Sequence, residues 1–133
     1  MIDFKIDTKE KFSVLTPTTA TIYDNMTENL SATCYAFLEK EQKNVILNLS
    51  EVAAIDASVA DAIASIQQKF YEQNASFVIC CVQPTVDAVF EELEIADILN
   101  QTPTESEAWD IIQMEEIERE LLDTDDIEFE SNE

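Results

Sequence analysis

Two short apolar runs, Val45-Ile46-Leu47-Asn48-Leu49 and Ser76 to Val82, flank a segment in which Val59, Ile63, Ile66 and Phe70 recur at helical spacing. Neither run alternates polar with apolar residues, so each reads as a strand covered on both faces. Strands of this kind joined through a helix pair in parallel by a crossover connection. That sets the fold class as α/β, with a buried sheet and helices packed against it.

The rest of the chain extends the same pattern. Ile2, Phe4 and Ile6 alternate with Asp3 and Lys5 as in a half-buried strand, and Phe12 to Thr16 forms a second beyond the polar turn Asp7 to Lys11. Thr19 to Tyr23 reads as a continuation of that second strand after Pro17. Asp24 is placed as the cap of a helix carrying Met26, Leu30, Cys34, Phe37 and Leu38. Pro84 opens a helix with Val86, Val89, Phe90 and Leu93, where a first-turn proline loses no needed donor. Ile98-Leu99-Asn100 is a brief edge strand. Thr104-Glu105-Ser106-Glu107 has capping-box spacing ahead of Ala108, Trp109, Ile111, Ile112, Ile117, Leu121 and Leu122.

The predicted order is β-β-α-β-α-β-α-(β)-α. It gives a mostly parallel sheet of four to five strands with about four helices, and the sequence does not place those helices on one face or two. At 133 residues there is room for one core. The domain is predicted over 1–122; residues 123–133 lack periodicity and caps and read as an acidic, disordered tail.

Charge narrows the partners. The chain carries 29 acidic residues against 7 basic ones, a net charge of -22, and from Thr85 onward Arg119 is the one base among 18 carboxylates. Such a field repels phosphate backbones and anionic lipid, so neither nucleic acid nor a membrane is an expected partner. The sequence contains no His and no Gly. The commonest general base and metal ligand are thereby missing, and so are the glycine loops that let backbone approach a phosphate. No enzyme activity, metal or cofactor is expected. Cys34, Cys80 and Cys81 show no metal-binding or disulfide spacing, and Met1 to Lys5 is unlike a secretion signal, so a reduced, cytoplasmic protein is expected.

The segment Asn48-Leu49-Ser50-Glu51-Val52-Ala53-Ala54-Ile55-Asp56-Ala57-Ser58 resembles the strand-to-helix junction of STAS domains. In those members that act as anti-sigma factor antagonists, an acidic residue precedes two small ones, the second often a phosphorylatable Ser, and then a Gly. Asp56-Ala57-Ser58 fits. The later order, an apolar strand, a helix from Pro84, Leu93-Glu94-Ile95 and a closing helix after Thr102-Pro103-Thr104, is also similar to the family over about residues 1–121. Val59 stands where Gly is usual, and Asp61 replaces a second Gly.

The resemblance implies a bacterial regulator of transcription that binds an anti-sigma factor with serine-kinase character and is switched by phosphorylation at Ser58. Its implied contact residues are Ile55, Asp56, Ala57, Ser58, Val59, Asp61 and Ala62, with the helix from Met26 to Phe37 beside them. The departures at Val59 and Asp61 motivate another reading, a divergent STAS module serving as a constitutive scaffold or small-ligand sensor. Read without the resemblance, Ser58 is a first-turn serine and Asp56 an N-cap. Glu91-Glu92 and Glu115-Glu116 read as solvated helix faces, and Trp109 as core. The oligomeric state is left open.

Overall fold

A computed structural model describes residues 2–40 and 43–128. Its main sheet has five strands: β1 (Phe4–Thr8), β2 (Ser13–Pro17), β4 (Val45–Asn48), β6 (Phe77–Cys80) and β7 (Gln101–Thr102), in the order β1-β2-β4-β6-β7. The β1–β2 hairpin is antiparallel and every other pairing is parallel. The predicted mostly parallel sheet is therefore the observed one. The brief edge strand is also present, shifted from Ile98–Asn100 to Gln101–Thr102.

Thr19 to Tyr23 does not extend β2. Instead β3 (Thr21–Ile22) leaves the main sheet and pairs in parallel with β5 (Ala54–Ile55), Ile22 lying opposite Ile55. This small second sheet leads directly into the 3-10 turn at Asp24 and into the helix that begins at Ala57, so it fixes where both start. After β3 comes a 3-10 turn, Asp24–Met26, then α1 (Thr27–Tyr35) and a second 3-10 turn, Ala36–Glu39. The predicted helix is thus an α-helix with tightened ends, burying the expected Leu30, Cys34, Phe37 and Leu38.

The other helices are α2 (Ala57–Glu72), α3 (Pro84–Glu92) and α4 (Glu105–Glu128). The predicted stripe Val59, Ile63, Ile66 and Phe70 is the buried face of α2. Alternation along the strands assigns the helices to faces. Leu15, Val45, Leu47, Phe77 and Ile79 join the core built with α1, α2 and α3. Val14, Ile46, Val78 and Cys80 face the other way and pack on Ala108 and Ile112 of α4, with Phe12 stacked on Trp109 at 4.6 Å. Three helices cover one face and α4 alone covers the other.

A chain without glycine must place other residues where the backbone needs positive φ. Asn74, Cys81 and Glu94 take these positions, each at φ 61°. Asn74 and Glu94 close α2 and α3: Ala75 N–H donates to Phe70 O and Ile95 N–H to Phe90 O, both at 2.9 Å, the helix-ending pattern usually built on Gly.

Helix α4 begins as predicted, with Glu107 N–H donating to Thr104 Oγ1 at 3.2 Å. It continues to Glu128, past the boundary placed at Leu122; residues 129–133 of the proposed tail lie outside the described residues. Glu115 and Glu116 are not solvated faces. Glu115 accepts from Ser76 Oγ at 2.5 Å and Tyr71 Oη at 2.8 Å, and Glu116 accepts from Asn44 Nδ2 at 2.6 Å. Asn44 and Ser76 are buried polar residues just ahead of β4 and β6, and these carboxylates satisfy them.

Candidate functional site

The β3–β5 pair brings together two chain segments that both turn into helices. Asp56 N–H donates to Ile22 O at 3.2 Å, so Tyr23 and Asp24 leave β3 beside Asp56 and Ala57 leaving β5. The start of the 3-10 turn and the start of α2 then lie side by side. Both leave donors without intrahelical partners, and those donors need acceptors.

Asp56 occupies the N-cap position of α2, with extended backbone at φ -79° and ψ 159°, yet its side chain makes no bond to its own helix. Its carboxylate Oδ2 accepts from the backbone N–H of Asp24 at 2.6 Å. Asp24 in turn accepts from the Ser58 hydroxyl, Oγ to Oδ1 2.5 Å. Each aspartate therefore caps or orients the other segment. The expectation that Asp24 caps its own helix and Asp56 its own is replaced by a crossed arrangement, which only the β3–β5 pairing makes possible.

Ser58 is the second residue of α2 and half-buried, with its hydroxyl held toward Asp24. Asp56, Ala57 and Asp61 are exposed and Ala62 is half-buried. Ile55 and Val59 lie beneath them: Ile55 is 8% exposed and Val59 fully buried, both in the main core. Of the expected contact residues, five reach the surface and two support it. Val59 needs no glycine-like backbone, because it sits in the first helical turn of α2 and its side chain fills core volume. Beside Ser58 a shallow groove runs between α1 and α2, lined by Thr27, Glu28, Ser31, Tyr35, Asp61 and Ser65.

Asp24, which the sequence places only as a helix cap, joins the candidate site through its bond to Ser58. It was legible as a polar residue at a helix start, and nothing local signalled its partner 34 residues away. Among the described residues no group of three or more His, Cys, Asp or Glu is arranged to hold a metal ion. No described helix is long and apolar enough to cross a membrane. Burial pushes the Cys34 thiol up to about 12 and raises the Cys80 thiol strongly, with its neighbour Cys81 adding to the effect.

A family model described as the STAS domain matches residues 4–108. No curated protein sequence matches the chain. Among solved structures, an anti-sigma-factor antagonist (STAS) domain protein from Planctomyces limnophilus aligns with TM-score 0.71 and 18% identity, covering 83% of this chain and 97% of that one. An anti-sigma factor antagonist from Mycobacterium paratuberculosis aligns with TM-score 0.73 and 14% identity over 85% and 95%. The Bacillus cell fate determinant SpoIIAA, in its phosphorylated form, aligns with TM-score 0.61 and 15% identity over 83% and 99%. At such identities the structures speak for the fold, and the family match over most of the length settles membership: this chain belongs to the STAS domain family.

Proposed function

We propose that this chain is a cytoplasmic regulatory protein of the anti-sigma factor antagonist type, which binds an anti-sigma factor with serine-kinase character and is switched by phosphorylation at Ser58. The observation that carries the reading is the Ser58 hydroxyl, presented at the start of α2 and aimed at Asp24. The docking surface is Asp56, Ala57, Ser58, Asp61 and Ala62 with the adjoining groove along α1, and Ile55 and Val59 hold it from below.

The geometry suits both halves of a switch. In the unmodified state Asp24 selects one hydroxyl rotamer and is the nearest acceptor for the proton that leaves as the Oγ–P bond forms. Once phosphorylated, Ser58 no longer donates, and a charge of about −1.5 to −2 faces Asp24. The helix N-terminus favours that charge by about 0.3–1 kcal/mol at an exposed site. Repulsion from one carboxylate about 4 Å away costs about 1 kcal/mol per unit charge in water and about 4 kcal/mol near a protein surface. Repulsion wins. Asp24 must move, and because its N–H is tied to Asp56, the start of α1 shifts with it.

Incubating the full chain with ATP and a serine kinase of the anti-sigma type, followed by intact-mass and peptide analysis, tests this. One phosphate on Ser58, absent from Ser58→Ala, is the expected result. Labelling elsewhere, or none, sinks the proposal.

A second reading, a constitutive scaffold or small-ligand sensor without a switch, draws on the three carboxylates Asp24, Asp56 and Asp61 at the start of α2 and its neighbour turn. They disfavour a phosphate there. Clean stoichiometric labelling of Ser58 refutes it.

A further inference from the structure

Helix α4 outruns the sheet it covers. Its 24 residues extend about 36 Å at 1.5 Å per residue, whereas the strands of the sheet have at most five residues, or about 17 Å. Its inward side is used as far as Arg119: Ala108 and Ile112 pack on the sheet, and Glu115, Glu116 and Arg119 bond to Ser76, Tyr71 and Asn44. The outward side is a different surface. Met114, Ile117 and Leu121 are 61%, 55% and 55% exposed, and their spacing of three and four residues aligns them in one stripe. Leu122, 65% exposed, follows Arg119 by three residues and so lies on the inward side, past the end of the sheet. The three side chains of the stripe have no role in the core, and large apolar residues grouped on one exposed helix face mark an interaction surface.

We propose that this outward face of α4 docks a basic amphipathic helix of a partner protein. The rim selects the partner's charge. Exposed Glu107, Asp110 and Glu118 lie on the same helix, and Arg119, its one base, is turned inward to Ser76. A second copy of the chain would bring carboxylate against carboxylate, in a protein of net charge -22. Anionic lipid and nucleic acid meet the same repulsion. A helix with Leu-like residues on one stripe and Lys or Arg beside them satisfies both the apolar strip and the acidic rim. The face lies across the sheet from Ser58, so this contact and the α1–α2 surface can be occupied together.

The test uses the full chain and a fluorescently labelled synthetic peptide of Leu and Lys in amphipathic helical order. Saturable one-to-one binding is expected, weakening as salt rises. The exposed double variant Ile117→Ser/Leu121→Ser, which leaves charge unchanged, should weaken it by about tenfold or more, as loss of interface anchors does. Unchanged helical CD and melting of that variant establish that folding is intact. Absence of binding overturns the proposal, as does equal binding by the double variant, which would reduce the effect to charge alone. Self-association in sedimentation that the double variant abolishes also overturns it, since the face would then belong to a second copy.

Discussion

The backbone N–H of Asp24 donates to the carboxylate of Asp56 at 2.6 Å, joining the starts of two helices separated by 32 residues of chain. The bond is charge-assisted, and such bonds are worth about 1.5–3 kcal/mol when protected from solvent. Both residues are exposed here, so about 1 kcal/mol is the expected loss in Asp56→Ala. Urea unfolding should show the midpoint falling with an unchanged slope, and Asp56→Asn, which keeps an acceptor, should lie between the two. Identical midpoints for all three proteins would show that the bond carries nothing.

Asp24 should matter more to modification than to stability. Its carboxylate fixes the Ser58 hydroxyl and is the acceptor nearest the departing proton. Asp24→Asn is expected to slow phosphoryl transfer to Ser58 by about a hundredfold, the lower end of the range for loss of a positioned acceptor. Ser58→Glu should weaken binding to the kinase-type partner while leaving the helical CD signal intact. Equal partner affinity of Ser58→Glu and the parent chain would remove the switch.

The inner strands β4 and β6 are readable in the sequence because they are short, apolar and separated by a helix with a clear stripe. Val59, Ile63, Ile66 and Phe70 needed nothing beyond periodicity. The crossed capping at the site was not readable. Thr21 and Ile22 could join the main sheet or pair with Ala54 and Ile55, and the choice depends on tertiary contacts that no local pattern encodes. The roles of Glu115 and Glu116 are hidden in the sequence for a related reason. Acidic residues in an acidic helix resemble a solvated face until the buried Ser76 and Asn44 they serve are placed beneath them.

The positive-φ residues give a stability prediction that runs against the usual direction. Glu94 at φ 61° holds a left-handed conformation that costs a residue with a Cβ roughly 1–2 kcal/mol. Glycine relieves that strain and gives back part of it as entropy in the unfolded chain. Glu94→Gly should therefore raise stability by about 0.5–1 kcal/mol in urea unfolding. Asn74→Gly should gain less, because asparagine tolerates this region better. A loss of stability in Glu94→Gly would refute the assignment of strain.

Alkaline pH should destabilise the protein earlier than its surface charge alone predicts. Burial raises Cys34 from 9.0 to about 12, and burial with the Glu115 hydrogen bond raises Tyr71 above its ordinary 10.0. Both folded pKa values exceed the unfolded ones. Below pH about 9 both states hold these protons and nothing is lost. Above it the unfolded chain releases protons that the folded chain keeps, so stability falls as pH rises from about 9 towards 12. For Cys34 the full effect is on the order of 4 kcal/mol. Urea midpoints measured from about pH 8 to about pH 10.5 should decline, and Cys34→Ala should flatten the decline relative to its own neutral-pH value. A parallel decline in parent and variant would show that Cys34 titrates as in the unfolded chain.

The dock of α4 offers the most direct separation of a polar network from simple packing. Glu115 accepts from Ser76 and Tyr71, Asn100 Nδ2 reaches the same carboxylate at 3.3 Å, and Arg119 donates to Ser76 Oγ at 3.3 Å. Glu115→Ala strands several donors at once in a partly buried setting, where each unmet group costs about 1–3 kcal/mol. Water reaches part of this cluster, so a total of about 2–4 kcal/mol is expected, against about 1 kcal/mol for Tyr71→Phe, which removes one hydroxyl. Because both residues belong to one network, their losses should not add, and the double variant should be less damaged than the sum by about 0.5 kcal/mol or more. Hydrogen exchange then locates the damage. Amides of α4 from Ala108 onward should lose protection in Glu115→Ala while those of α1 and α3, which pack on the other sheet face and make no bond to this network, keep theirs. Uniform loss across both faces would mean that Glu115 supports the whole fold and not the dock of one helix.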